Sequence, residues 1–358
     1  MLDNVSPTGS PARAATIEDV AQHAGVSRAA VSKVIRDAYG VSDRMRERVT
    51  ASIAALDYRP RVAARAMRGS TATIGVQLPQ VDNQFFTRIL TGIVRSLHDS
   101  AYRLIIAPMA DPVSGPAALE SLYDRQVDGI IAVAPAVPQS WLEGLGRRVP
   151  LVQVGQHDHP DHYDVVVGDD DAGARLVMEH LFAAGHTRIV HVTNDERILV
   201  EPRTDPHPRR LRVYEQMMRD RGLEPDVIRV ESPDRDTRAT VEELLDRSVP
   251  PTALFAGHDS LALAALEVVA ERGVGATEFA VVGYDDVPIA SHPLIGLSTI
   301  DQHGEEMGAT AARLLLERIS GREGAVRRVF SPALRLRATS GPVTLATFEA
   351  DEDPGEQP

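Results

Sequence analysis

The chain contains no cysteine, which removes disulfides, thiol chemistry and Cys-ligated zinc from consideration. No apolar run approaches membrane-spanning length. The first fifteen residues are rich in Ser, Pro and Ala and lack the apolar core of a signal peptide, so a disordered tail on a cytoplasmic protein is expected, with no membrane partner. The patterns G-x-x-x-x-G-K-[ST], G-x-S-x-G and H-E-x-x-H are missing, so phosphoryl transfer, serine hydrolysis and zincin chemistry lack their usual anchors. No catalytic residue, cofactor or metal is expected. The single tryptophan, Trp141, lies in a Pro/Gly-bounded helical segment, where packing rather than a sugar platform is its expected role.

Positive charge is also scarce. The net charge of −13 over 358 residues argues by itself against a nucleic-acid partner. The distribution argues otherwise: residues 16–69 carry ten Lys/Arg against six Asp/Glu, and residues 70–358 carry a net −17. A basic head on an acidic body suits a DNA binder whose body stays off the DNA.

Within that head, Thr16 followed by Asp19 reads as a capping box, with Ile17, Val20 and Ala21 on one helical face. Gly25 falls where the chain must turn. Ser27 is placed to cap a second helix, with Ala30, Val31 and Val34 inward and Arg28, Ala29 and Lys33 on the opposite face. A short helix with a basic outer face and an N-terminus exposed at a turn suits the DNA major groove. Ser42 opens a third helix with the stripe Met45, Val49, Ile53 and Leu56, and Tyr58-Arg59-Pro60-Arg61 leads into the alanine-rich segment ending at Met67-Arg68-Gly69.

The segment from Thr16 to Gly69 resembles the headpiece and hinge of the LacI/GalR family of bacterial transcription regulators, whose pattern reads T-I-x-D-V-A-x-x-A-G-V-S-x-x-T-V-S-R-V-L-N and then Y-x-P-N-x-x-A-x-x-L. Departures are Ala30 for Thr, Lys33 for Arg, Arg36 and Arg61 for Asn, and Met67 for the apolar lever Leu. The resemblance implies DNA contacts from Thr16, Ser27, Arg28, Ala29, Ser32, Lys33, Arg36, Arg61, Ala64 and Met67. It also implies a homodimer on a palindromic operator, with Met67 wedged into the minor groove.

Beyond the head, β-branched runs at 74–78, 104–107, 129–133, 151–154, 189–192, 253–256 and 280–283 alternate with helical runs. Phe86, Ile89, Leu90, Ile93, Val94 and Leu97 keep a period near 3.6 residues. Further helices are expected at 172–184, 210–221, 237–247, 261–272 and 305–319. Strands separated by helices imply parallel sheets covered on both faces.

The resemblance continues through Asp82-Asn83-Gln84-Phe85-Phe86, Asp128-Gly129-Ile130-Ile131, Asp169-Asp170-Asp171, Arg210-Leu211-Arg212-Val213-Tyr214, Gly257-His258-Asp259, Gly283-Tyr284-Asp285-Asp286 and Thr299-Ile300-Asp301-Gln302. It implies an all-α helix-turn-helix head with a hinge helix, then a two-lobed, periplasmic-binding-protein-like α/β core. The expected division is a tail at 1–15, head at 16–59, hinge at 60–69, core at 70–342 and an acidic tail at 343–358. Lobe 1 takes about 72–166 and 303–328, and lobe 2 about 167–300 and 330–342. The last eleven residues hold five acidic and no basic side chains, and no leucine heptads announce a tetramerising coil.

In open α/β sheets small molecules bind beyond the carboxyl ends of the strands. Asn83, Phe85, Asp170, Arg210, His258, Asp259, Asp285 and Gln302 are the candidate effector contacts, with Arg210 and Asp285 favoured by the family pattern. Carboxylates, amides and an arginine suit hydroxyl groups, and Phe85 or Tyr284 suits the apolar side of a sugar ring. His258 stands where the family carries Asn and is expected to titrate near neutral pH. Asp171 and Asp259 precede helical runs and have helix capping as their alternative role. His157-Asp158-His159-Pro160-Asp161-His162 has metal-ligand residue types, but its place after a strand and its proline favour a solvated loop. The expected function is a repressor controlled by a small polar effector, such as a sugar. The alternatives are a sugar-binding transport component and a carbohydrate-acting enzyme.

Overall fold

The computed structural model describes residues 15–35, 38–58, 70–109, 115–195, 205–231 and 233–341. Arg36, Arg61, Ala64, Met67 and the whole 60–69 segment lie outside them. The described residues pack as two units, one ending at Thr71 and one beginning at Ala72.

The first unit is three helices: α1 (Ile17–Ala24), α2 (Arg28–Ile35) and α3 (Asp43–Ala55). The capping box forms in full: the Asp19 amide donates to Thr16 Oγ1 at 3.3 Å, and the Thr16 amide donates to Asp19 Oδ2 at 2.7 Å. Gly25 ends α1 at φ 61°, a left-handed conformation without penalty for glycine. Ser27 Oγ accepts from the Ala30 amide at 3.2 Å and so caps α2. Ser42 occupies the N-cap position of α3 but makes no capping bond, contrary to expectation. Val20, Ala21, Ala24, Val31, Val34, Val49 and Tyr58 form the small core; Ala30, Met45, Ile53 and Leu56 are only half-buried.

The second unit is built on two parallel sheets. The six-stranded sheet contains β1 (Thr73–Leu78), β2 (Arg103–Pro108), β3 (Gly129–Val133), β4 (Leu151–Val154), β5 (Asp164–Gly168) and β11 (Arg327–Phe330), in the order β11-β5-β4-β3-β1-β2. The four-stranded sheet contains β6 (Ile189–Asn194), β7 (Asp226–Val230), β8 (Ala253–Ala256) and β9 (Ala280–Val282), in the order β7-β6-β8-β9. A short antiparallel pair, β10 (Thr299–Asp301) with β12 (Ala333–Arg335), completes the set. β1, β3, β4 and β5 are buried throughout, as expected of parallel strands covered on both faces, whereas β2 and β11 are edges with exposed positions.

β5, β7, β10, β11 and β12 are additional to the strands read from sequence. β10 and β12 are three residues long, and β11 opens on two arginines, so none shows a long apolar run. β5 carries the first sheet on to Gly168 and β11 to Phe330. The C-terminal helix Gly304–Ile319 packs backbone to backbone on the helix Gln84–Ser96: a Cβ on Gly92 would fall 1.9 Å from the Glu305 carbonyl oxygen, and one on Gly308 2.0 Å from that of Ile89. That contact seats the returning chain on the first sheet, alongside β11.

Candidate functional site

The head presents one coherent polar face. Arg28, Ala29 and Lys33 are exposed on α2, and Ser32 beside them is half-buried. Their spacing puts them on one side of the helix, opposite Val31 and Val34, which anchor it. The turn feeding α2 is braced by α3: Arg48 Nη2 donates to the Ala24 carbonyl and, at 3.2 Å, to that of Gly25. Arg48 thereby joins the residues that orient α2, a role invisible in the local pattern because it acts from another helix. Thr16 has its hydroxyl and amide committed to Asp19.

In the second unit a cavity of about 720 Å³ opens at the carboxyl ends of the strands. Asn83, Phe85, Asp170, Arg210, His258, Asp285 and Gln302 line it. Asp259 and Tyr284 do not line it, which corrects two expectations. Asp259 is fully buried: Oδ1 accepts from Thr299 Oγ1 at 2.6 Å and Oδ2 from the Val287 amide at 2.8 Å, so its carboxylate ties the loop after β9 to β10. The Tyr284 ring is covered by the Arg210 guanidinium, 3.6 Å from the ring centre, and offers no face to a ligand.

The two walls differ. Phe85, Phe86, Ile89, Val133, Val154 and Met307 make an apolar side carried mainly by the first sheet and its helices. The other side is polar. Arg210, only 3% exposed, places Nε and Nη2 each 2.7 Å from Asp170 Oδ1 and donates from Nη1 to the Gly257 carbonyl at 2.5 Å. Burial pushes Asp170 up, but the Arg210 charge and a 2.7 Å bond to His157 Nε2 outweigh it and hold the carboxyl below its usual range. Asp285 accepts from Gln302 Nε2 at 2.6 Å and has φ 127°; Asp286 follows at φ 49°. Two successive non-glycine residues in that region are strained, and the Asp285 amide bond to the Ile300 carbonyl at 2.8 Å and the Arg337 bond to Asp286 Oδ1 at 2.6 Å hold them there. Burial raises the Asp285 carboxyl well above its ordinary value.

His258 does not titrate near neutrality as expected. Burial, reinforced by the Arg210 charge, pushes it down to about 3.

Several lining residues escaped the sequence reading, among them Asn194, Asp205, His207 and Gln156. Asp205 was signalled by Asp-Pro at a helix start: Oδ1 accepts from the His207 amide at 2.9 Å, and the helix therefore begins at Pro206 rather than 210. Similarly Asp169, not Asp171, caps the helix Asp170–Ala183, through the Ala172 amide at 3.0 Å. Asp171 pairs instead with Arg209 at 2.8 Å and Arg212 at 3.0 Å. The 157–162 stretch is not wholly a solvated loop: His157 and Asp158 are buried, the former against Asp170 and the latter accepting from Tyr163 Oη at 2.5 Å. Among the described residues no group of three or more His, Asp or Glu is arranged to hold a metal ion, and no helix is long and apolar enough to cross a membrane.

Comparison with known proteins agrees with both regions. Residues 16–61 match the family of bacterial regulatory proteins, lacI family, and residues 178–340 match a periplasmic binding protein-like domain. The ribose operon repressor of Escherichia coli K12 is 30% identical over 316 residues, spanning 86% of this chain and 93% of the relative. The lac repressor dimer bound to operator and the anti-inducer ONPF is a structural neighbour at TM-score 0.75 and 25% identity, covering 92% of this chain and 99% of that one. A complex of the regulator CelR with cellobiose aligns at TM-score 0.64 and 28% identity, covering 91% and 99%.

Proposed function

The chain belongs to the lacI family of bacterial regulatory proteins, and from that premise we propose that it is a homodimeric, cytoplasmic repressor that reads a palindromic operator through α2 and answers to a small polar, sugar-type effector in the cavity. It is a DNA-binding transcription regulator and not an enzyme. Family membership sets aside the transport-component and carbohydrate-enzyme readings.

The observation that carries the proposed base-reading role is the exposed face Arg28, Ala29 and Lys33 at the start of a capped helix, on a head that is basic while the body is acidic. Ser27 and Ser32 extend that face, and Thr16 at a helix N-terminus is a proposed phosphate contact. Arg36, Arg61, Ala64 and Met67, outside the described residues, keep the contacts the family pattern implies, the last three in a hinge at 60–69 that enters the minor groove. Asn83 and Phe85 on one side and Asp170, Arg210, His258, Asp285 and Gln302 on the other line the cavity. Closure of lobe 1 (72–166, 303–328) on lobe 2 (167–300, 330–342) is the proposed switch. A ligand gripping both walls shifts the operator-binding equilibrium only by its differential affinity for the two states, about 1–3 kcal/mol in typical coupled systems.

The test is operator binding. Arg28→Ala should weaken binding by about 1–3 kcal/mol and relax base preference locally. The preferred site should be an inverted repeat with half-sites about one helical turn apart, and affinity should fall steeply with salt. Salt-independent binding, or none to any palindrome, overturns the assignment.

A further inference from the structure

We propose that the effector is an amine: a sugar or comparable polyol cationic at neutral pH, its ammonium group held by Asp205, Asp285 and His258 and its carbon framework laid on Phe85 and Phe86. This rests on the cavity being the effector site.

The inference starts from a count of donors and acceptors on the polar wall. Arg210 is the one Lys or Arg lining the cavity among the described residues, and Asp170 neutralises it through two close N···O contacts while the Gly257 carbonyl takes a third. Among the described residues a phosphate or carboxylate therefore finds no uncommitted cation there. It meets Asp205 and Asp285 instead, each with one carboxylate oxygen engaged, by the His207 amide and by Gln302.

His258 points the same way independently. It lines the cavity, is only 8% exposed, and its Nδ1 has no hydrogen-bond partner among the described residues. Its Nε2 lies 3.3 Å from Asn194 Oδ1, and the Asn194 amide nitrogen lies 3.2 Å from His207 Nε2. His207 Nδ1 in turn lies 3.4 Å from Thr193 Oγ1. With both rings neutral and the Asn194 carboxamide set with Oδ1 toward His258, the chain runs one way: His207 Nδ1–H donates to Thr193, Asn194 donates to His207 Nε2, and His258 Nε2–H donates to Asn194. The end of the chain is then a bare lone pair on His258 Nδ1, which requires a donor. A buried acceptor left without one costs about 1–3 kcal/mol.

An ammonium group supplies three donors and no acceptor, and its charge compensates the carboxylates it touches. Burial raises Asp205 to about 6 and Asp285 well above the ordinary carboxylate range, so holding either as an anion in the closed cavity is costly without a counter-cation. The apolar wall completes the match, because the C–H face of a sugar ring stacks on aromatic side chains. At about 720 Å³ the cavity holds a molecule of one or two sugar rings.

The test is titration of the full chain with ligands matched in shape and differing in charge: glucosamine, glucose and glucuronate, and deacetylated chitobiose with cellobiose as its neutral counterpart. An amine in one of the sets should bind at least about tenfold tighter than its neutral and anionic matches, equivalent to about 1.4 kcal/mol. Asp205→Asn should erase most of that preference, read as the ratio of amine to neutral-match affinity on the same variant. Equal or tighter binding of a neutral or anionic match, or no binding by either amine, overturns the proposal. Operator affinity measured on the same samples separates this from the effector reading. A neutral sugar that releases operator while the amines do not leaves the effector role standing and the amine rejected. An amine that binds in the cavity without changing operator affinity upholds the ligand class and rejects the effector role.

Discussion

The head displays its working side chains, and the core hides them. Arg28, Ala29 and Lys33 are exposed on a single helix, whereas Arg210, Asp170, His258 and Asp285 are buried, Arg210 bonded to Asp170 and the Gly257 carbonyl, Asp285 to Gln302 and His258 to Asn194. Each arrangement suits its partner. A polyanion in water is gripped by charges that stay hydrated until contact and release counterions on binding. A small molecule in a cavity is gripped by dipoles and charges already desolvated and oriented, which cost little reorganisation when it arrives. Substitutions should therefore fail differently: on the exposed face of α2, function goes and fold stays; at the buried Arg210–Asp170 pair, both go together.

The sharpest way to break that contrast is Arg210→Ala. It leaves the Asp170 carboxylate buried with its charge partner removed, which costs about 3–5 kcal/mol in comparable cases. Denaturant unfolding should show the core transition weakened by that amount and the head transition unmoved. A loss below about 1 kcal/mol would mean Arg210 is a dispensable ligand contact rather than a structural ion pair. The family pattern favours Arg210 as a direct effector contact; its buried bonds make it chiefly an organiser of the wall.

A smaller effect is expected in the head from Thr16→Ala, which removes the hydroxyl half of the capping box and costs about 0.5–2 kcal/mol. Operator binding should be lost at a lower temperature while the melting of the core stays constant. A shift of both transitions would show that the two units do not unfold independently.

The smallest effect concerns pH. His191 and His258 are each pushed down to about 3, by burial first. Their neutral burial favours the fold above the unfolded value of about 6.5, and this contribution is lost as pH falls from there toward 3. Asp205 and Asp259, raised to about 6 by burial, act in the opposite sense, since protonation in the fold stabilises it as pH falls through 6. In a thermal-melt series from pH 7 to 4, His258→Gln should therefore lose less stability than the parent chain. An unchanged slope would place the charge-sensitive burial elsewhere.

The head was legible because its logic is local. The caps at Thr16 and Ser27, the turn at Gly25 and the two faces of α2 all fall within twenty residues, at offsets set by helix geometry. Arg48, acting across from α3, escaped, and Ser42 makes no capping bond where one was expected. The cavity was legible in outline, since strand ends converge in this topology whatever their sequence. Individual roles were less so: Asp259 and Asp285 both follow strands, yet one carboxylate is consumed by Thr299 and Val287 while the other faces the cavity.

Sequence periodicity and turn chemistry by themselves determined the helix-turn-helix head, the alternation of strands and helices, and the face of α2 turned outward. Those features depend on neighbours a few residues apart, and such neighbours are always present. The pairing of Arg210 with Asp170, the covering of Tyr284, the neutrality of His258 and the unpartnered, buried Nδ1 of its ring were decided only by tertiary structure. Each depends on groups brought together from 40 or more positions away, or on the depth at which they are buried. Burial and distance set the sign and size of an electrostatic interaction, and neither is a property of a residue's place in the chain.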